Sequence, residues 1–279
     1  MTTIAARIAP LLPARLTAAT ARALYPRFEP ELTRLADMLP AAGSCGTAVD
    51  VGGWYGPWTH RLAVPARRVI TLEPVPHLAR VLAASAPANV KVVRAAASDR
   101  PGTAPLWQPP HDERGERGVS SLVRRADLHA PTGREVPCVT LDELALRDVD
   151  FIKIDVDGAE LPVLRGARAL LAHDRPALFI ELETRIQPIA PVVAHLRAQG
   201  YEGWVLPDAD AAADWLPLPA YDLAAHQRGT AHIASQGLLR RALTPAGRRR
   251  RYVNSVLFLP DGRAPGGVRH HGAHARTPH

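Results

Sequence analysis

Short apolar runs, each closed by an acid, a glycine or a proline, recur along this chain. Between them lie stretches whose apolar positions fall at helical spacing. The runs predict strands at Ala48–Val51, Arg68–Leu72, Val90–Ala97, Phe151–Val156, Ala177–Leu182, Tyr201–Leu206 and Ser255–Leu259. Shorter candidates lie near Ala104–Trp107 and at Val136–Leu141, the latter followed by Asp142 as a cap. Helical spacing appears over Glu31–Leu39, over Leu78–Ala84, after Gly158 at Leu161, Leu164 and Leu171, and from Ile189 to Gln199, where Gly200 stops it. Strands and helices alternating at this spacing predict an α/β fold, with a seven-stranded, mostly parallel sheet covered by helices on both faces. Residues 1–46 read as a helical segment, 47–260 as one domain, and 261–279, which lack periodicity, as a disordered basic tail.

The chain is organised around Ala48–Gly56, AVDVGGWYG. An apolar strand ends in Asp50, Gly52, Gly53 and Gly56 follow, and Pro57 stands where proline suits the first turn of a helix. Strand, glycine turn and helix N-terminus make a cradle for a nucleotide-like ligand. Glycine lets the backbone approach that ligand, and Asp50 can accept from an ammonium or a water there. Glu73, followed by Pro74, ends the next strand twenty residues beyond Gly53, the spacing at which an acid takes both ribose hydroxyls. Ser98 and Asp99 close the third strand, where Asp99 meets an adenine edge or caps a loop. The bland alternative for the glycines is a tight turn with no ligand.

The stretch from Asp150 to Glu160, DFIKIDVDGAE, is less ordinary. Alternation puts Phe151, Lys153, Asp155 and Asp157 on one face. A lysine in a central strand needs a carboxylate partner, and such a pair can serve the sheet alone. Read functionally, Lys153, Asp155 and Asp157 are the candidate catalytic group, with Asp155 at the mouth of the site. Glu181 and Glu183 end the neighbouring strand. Three acids near one point, Asp155, Glu181 and Glu183, either hold a divalent cation such as magnesium or raise one pKa. The competing expectation is that Lys153 neutralises Asp155 and no metal binds.

At these residues a resemblance becomes specific. DVGGWYG, LEPVP, AAASD, VTLDEL, FIKIDVDGAELPVLRGA and LFIELE, in that order, resemble the FkbM family of S-adenosylmethionine-dependent methyltransferases. VNSVLFLP at 253–260 resembles its last strand. The resemblance implies a class I methyltransferase fold, Rossmann-like, and O-methylation of a sugar or polyketide-type hydroxyl. It implies S-adenosylmethionine held by Asp50, Gly52 and Glu73, with Gly53, Trp54, Gly56, Pro74, Ser98 and Asp99 around it, and Asp155 beside the transferred methyl. Two positions depart from the family pattern. Gly52-Gly53-Trp54 stands where Gly-Ala-Asn is usual, and Asp157 replaces a glutamate, shortening that carboxylate by one methylene.

Composition adjusts this picture. The net charge is +7, yet nine arginines and one acid, Asp261, lie from Arg240 onward, leaving the preceding residues near neutrality. A basic end on a neutral body, in a chain with only two lysines, reads as arginine-rich composition rather than as a nucleic-acid surface. Two cysteines make no disulfide framework, so a reducing, cytoplasmic setting is expected; there is no apolar run long enough to span a bilayer and no signal-peptide core. The expected partner is a small-molecule acceptor with a free hydroxyl, contacted by the regions 100–135 and 209–251. A homodimer is an open assembly. An NAD-type oxidoreductase would want Gly-x-Gly-x-x-Gly at the first turn, and a nucleic-acid methyltransferase an Asp/Asn-Pro-Pro-aromatic run where DVDG stands. A scaffold that retains the fold without turnover is the third alternative. His111 and His129 are further candidate bases in a polar region.

Overall fold

In the computed structural model, the residues described are 14–27, 29–40, 45–110, 112, 114, 118–129, 134–207, 213–234 and 251–266. The first strand, β1 (Cys45–Val51), is buried at every position, as a strand between two neighbours under helices on both faces must be. It pairs in parallel with β2 (Ala66–Leu72) on one side and β7 (Val149–Ile154) on the other. β3 (Val90–Val93) extends the sheet beyond β2, and β8 (Ala177–Glu181) extends it beyond β7, both in parallel. β11 (Ser255–Pro260) then inserts antiparallel between β8 and β9 (Tyr201–Val205), and the two-residue β10 (Leu216–Pro217) closes that edge. The sheet therefore has eight strands, not seven, in the order β10-β9-β11-β8-β7-β1-β2-β3.

Period-two alternation sorts the core. Val49, Val51, Ile152, Ile154, Leu178 and Ile180 face one layer, where α5 (Glu160–Arg165), α6 (Arg168–Asp174) and α7 (Ala190–Arg197) supply Val163, Leu171 and Leu196. Ala48, Phe151, Phe179 and Leu257 face the other, against Trp58 and Leu62 of α3 (Pro57–Leu62) and Leu35 and Met38 of α2 (Leu35–Met38). α4 (Pro76–Ser85) follows β2, and α8 (Leu223–Ala234) precedes β11. The expected helix over Glu31–Leu39 is a 3-10 turn, Pro30–Arg34, running into α2, and α1 (Ala14–Leu24) lies before it.

Three expectations shift. The run Val90–Ala97 is two strands, because β4 (Ala96–Ala97) leaves the main sheet and joins β6 (Glu135–Val139) and β5 (Gly102–Pro105) in a separate three-stranded sheet, order β4-β6-β5. Beyond the short strand expected near Ala104–Trp107, which forms as β5, the polar region between 100 and 135 carries two further bridges, Trp107 to Ser121 and Gln108 to His129. The tail does not begin at 261. Asp261 donates its N–H to the Gly200 carbonyl at 2.9 Å, and Gly266 donates to the Asp37 carbonyl at 2.8 Å, so the chain stays on the body through Gly266. The rest of the expected tail lies outside the described residues. Among the described residues no helix is long and apolar enough to cross a membrane, and Cys45 and Cys138 are free and buried.

Candidate active site at the carboxyl ends of the parallel strands

The chain passes from β1 to β2 and β3 on one side, then returns to lay β7 and β8 on the other. That reversal opens a crevice outside the carboxyl ends of β1 and β7, the usual ligand position in open α/β sheets. A cleft of about 850 Å³, open at its mouth, lies there. Gly52, Trp54, Glu73, Pro74 and Asp155 are on its wall, with Leu78, Ala95–Ala97, Leu106 and Leu122 forming an apolar end.

Gly52 has no substitute. Its φ is +87°, and a Cβ there would lie 1.9 Å from the carbonyl oxygen of Asp155. The first turn and the end of β7 are therefore in backbone contact, which brings Asp155 to the turn. Gly53 and Gly56 do not line the cleft. They press against Thr71 and Leu82 and admit the packing of β2 and α4 behind the turn. Trp54 is itself left-handed, at φ +47°, a conformation suited to asparagine and costly for a tryptophan. Glu73 holds it, its Oε2 accepting from the Trp54 N–H at 2.8 Å while Oε1 accepts from the Val75 N–H at 2.8 Å. Glu73 is buried, and burial raises its pKa to about 7 against those two bonds.

Asp50 lies behind the wall rather than on it. It is fully buried, its Oδ2 accepts from Thr59 Oγ1 at 2.6 Å, and its Oδ1 has no partner among the described residues. Burial pushes its pKa up to about 6, opposed by Lys153 and Thr59. Ser98 and Asp99 are also off the cleft. The small residues Ala95–Ala97 line it instead, and the Ser98 carbonyl packs at Gly166.

Lys153 sits opposite Asp50 in the strand register and reaches Asp155 Oδ2 at 2.7 Å. The lysine side chain is 3% exposed and the aspartate 22%, so the pair is buried at one end and open to the cleft at the other. Burial alone would lower the Lys153 pKa, but Asp155, Glu29 and Asp50 together raise it. The paired-lysine expectation holds at this site. Asp157 is not on the cleft wall. It occupies a left-handed turn at φ +52°, 3.6 Å from Arg125 Nη1, with its pKa raised to about 7 chiefly by burial and then by Asp155.

The expected metal site does not form. Glu183 is engaged by Arg185 Nη2 at 2.8 Å and by the Tyr252 hydroxyl, and Glu181 Oε1 accepts from Asn254 Nδ2 at 2.5 Å. β8 ends at Glu181, so Glu183 lies beyond the strand, where alternation no longer keeps the two carboxylates on one face. Among the described residues no group of three or more His, Cys, Asp or Glu could hold a metal ion. His129 is exposed, and His111 lies outside the described residues.

Two contributors were not visible in the sequence pattern. Tyr25, in a 3-10 turn (Tyr25–Arg27), lines the cleft, its ring centroid 5.8 Å from that of Trp54. Glu29 is buried nearby, accepting from Trp58 Nε1 at 2.7 Å. Nothing local marks either residue, since only tertiary packing brings the N-terminal segment to the strand ends. The region 100–135 does reach the site, through Gly118, Ser120 and Leu122.

Sheet order and cleft define an α/β protein of the kind that binds a ligand across a topological switch point. The matching family model is the methyltransferase FkbM domain, over residues 44–202, more than half of the chain. This chain belongs to the FkbM methyltransferase family. Among solved structures it is similar to methyltransferase FkbM from Methylobacillus flagellatus KT, at 17% identity and a TM-score of 0.41, over 58% of this chain and 40% of that one. It is also similar to precorrin 8W decarboxylase from Methanobacterium thermoautotrophicum, at 14% identity and a TM-score of 0.38, over 82% and 87% of the two chains. The chain thus spans well under two thirds of the Methylobacillus protein. No curated protein sequence matches it.

Proposed function

We propose that this protein transfers a methyl group from S-adenosylmethionine to a hydroxyl oxygen of a small molecule, a sugar or polyketide-type acceptor. The observation that carries the reading is one cleft shared by Gly52, Glu73 and Asp155, the positions that the family pattern places around the cofactor, in a chain whose family is methyltransferase. The residues fit the cofactor. Glu73 keeps lone pairs beyond its two backbone bonds for a ribose diol, Ala95–Ala97 and Leu106 offer a flat apolar slot for a purine, and Gly52 leaves the backbone bare. When bound, S-adenosylmethionine supplies the electrophilic methyl and leaves as the thioether.

The protein's part is alignment and proton removal. Asp155 accepts a hydrogen bond from the acceptor hydroxyl, orients its lone pair toward the methyl, and takes the proton as the new C–O bond forms. Lys153 holds that carboxylate in one rotamer. No metal enters this account, since Glu183 is taken up by Arg185 and Tyr252 and, among the described residues, no group of three or more His, Cys, Asp or Glu could hold one. Calorimetry with S-adenosylhomocysteine, S-adenosylmethionine, NAD and NADP tests the cofactor. Binding of the first two alone supports the reading, and tight NAD binding without either would end it. Asp155→Asn is expected to abolish methyl transfer while S-adenosylhomocysteine still binds; full turnover by this variant would remove Asp155 from the chemistry.

A further inference from the structure

Ser120 and Leu122 line the cleft from the region between 100 and 135, and the backbone fixes how they stand there. Ser121 and Trp107 exchange both backbone hydrogen bonds, at 2.8 and 2.9 Å, in an antiparallel bridge. Residues opposite one another in such a bridge share a face. Alternation then puts the flanking pairs, Leu106 with Leu122 and Gln108 with Ser120, together on the other face. That face is the cleft wall, since Leu106, Ser120 and Leu122 all line it. The Ser120 side chain therefore stands about 7 Å along the chain from the Leu106–Leu122 pair, at the margin of the apolar slot that Ala95–Ala97 complete. The segment is pinned on both flanks. Ser121 Oγ donates to the Asp157 carbonyl at 2.8 Å, and at Gly118, φ +69°, an added Cβ would meet the Trp54 indole at 3.3 Å.

The hydrogen bonds behind Ser120 run in one direction. Gln108 is fully buried, and its amide cannot be turned over. Its Oε1 accepts from Arg134 Nη1 at 2.7 Å, and a guanidinium only donates. Its Nε2 donates to the Asp112 carbonyl at 3.1 Å, and a carbonyl only accepts. The other Nε2 proton goes to Ser120 Oγ, at 3.2 Å. Ser120 is thus the acceptor in that bond, and its own proton is left for another atom. No hydrogen bond among the described residues uses that proton. Arg134, Gln108 and Ser120 form a chain that ends in one hydroxyl donor at the edge of an apolar slot.

We infer that Ser120 is a purine-reading residue, its hydroxyl donating to a ring nitrogen of the adenine of S-adenosylmethionine. The inference deepens the function proposed above and rests on it. A purine carries the matching chemistry: two flat apolar faces for the slot, and the acceptors N1, N3 and N7 on its edges. Glu73 and Asp155, as carboxylates, accept from the ribose and from the methyl-accepting hydroxyl, and neither can donate to a ring nitrogen. Gln108 holds the Ser120 oxygen in place before the ligand arrives, so the donor is pre-positioned and the bond costs little ordering. A site built to donate to a ring nitrogen rejects an analogue with C–H there, since the hydroxyl is then left unpaired.

Calorimetry on the full chain decides it, with S-adenosylhomocysteine and its 1-deaza, 3-deaza and 7-deaza purine analogues. Each analogue replaces one ring nitrogen by C–H and leaves the rest of the ligand as it was. Ser120→Ala is expected to weaken S-adenosylhomocysteine binding about fivefold. One analogue should bind the unaltered chain about fivefold more weakly than the parent ligand and be indifferent to Ser120→Ala. The other two should lose about fivefold with the variant, as the parent does. A merely structural role of Ser120 would not produce coupling to a single ring position, because it would weaken all four ligands alike. An equal effect of Ser120→Ala on all four, or none on any, overturns the inference and leaves the proposed function standing. So does equal binding of all four by the unaltered chain, which decides the matter even where Ser120→Ala does not fold. Failure of all four to bind removes the function reading and this inference with it.

Discussion

Glu73 and Trp54 show how far one side chain's role depends on its neighbours. Both Glu73 oxygens hold backbone N–H groups, so the residue that faces the cleft also keeps Trp54 in a left-handed turn. Glu73→Ala should weaken S-adenosylhomocysteine binding by about 1–3 kcal/mol, the loss expected for hydrogen bonds to a charged acceptor, and should lower the melting temperature as well. Calorimetry beside a thermal melt separates the two; unchanged affinity would take Glu73 out of the site. Lys153 is the other such residue. Replacing it with Met strands Asp155, Asp50 and Glu29 without their shared cation, and is expected to cost about 3–5 kcal/mol in denaturant unfolding. The paired change Lys153→Met with Asp155→Asn should recover part of that cost. A double-mutant cycle that shows no coupling would mean the 2.7 Å contact contributes nothing net.

At the scale of the element, the first turn is the joint on which the cleft depends. Gly52→Ala forces a Cβ into the Asp155 carbonyl at an unfavourable φ. Backbone strain alone is expected to cost about 1–3 kcal/mol before any displacement of β7, read as a lower urea midpoint with loss of ligand binding. Retained stability with retained binding would show that the turn and β7 are not in the contact described. The carboxyl end of the chain offers a second test of an element. Removing 261–279 deletes the Asp261 and Gly266 backbone bonds to Gly200 and Asp37, whereas removing 267–279 spares them. The longer deletion should be less stable than the shorter by about 1–2 kcal/mol, and equal stability would place the boundary back at Pro260.

For the molecule as a whole, the buried acids set how stability responds to pH. Burial raises Glu73, Glu160 and Asp157 to about 7 and Asp50 to about 6, so between pH 4.5 and 7 the folded chain holds protons that the unfolded chain has released. A raised carboxyl contributes stability that is full below the unfolded pKa and lost as pH rises through the folded one. His77 and His195, lowered by burial, work the other way below the ordinary histidine range, but they are two against four. The melting temperature is therefore expected to fall from pH 6 to pH 8 in low-salt buffer. A flat or rising profile across that interval would mean that these carboxyls are better solvated than their burial implies.

Strand positions, their alternation and the glycine turn were legible in the sequence because they are local. A period of two, a period of 3.6 and a positive φ each leave a mark within a few residues. The Lys153–Asp155 pair was legible for the same reason, since two residues apart on one strand share a face. Ordered motifs from Asp50 to Glu183 made the family legible too, inside the 44–202 that the family model matches. What no local pattern contains is which distant segments meet. Only the tertiary structure moved β4 out of the main sheet, added β10 as an eighth strand, and turned Glu183 onto Arg185 and Tyr252, so that among the described residues no three-acid group could hold a metal. Only packing set Asp50 behind the wall and brought Tyr25 and Glu29 to the strand ends, because burial and long-range contact are properties of the folded chain and not of any stretch of it.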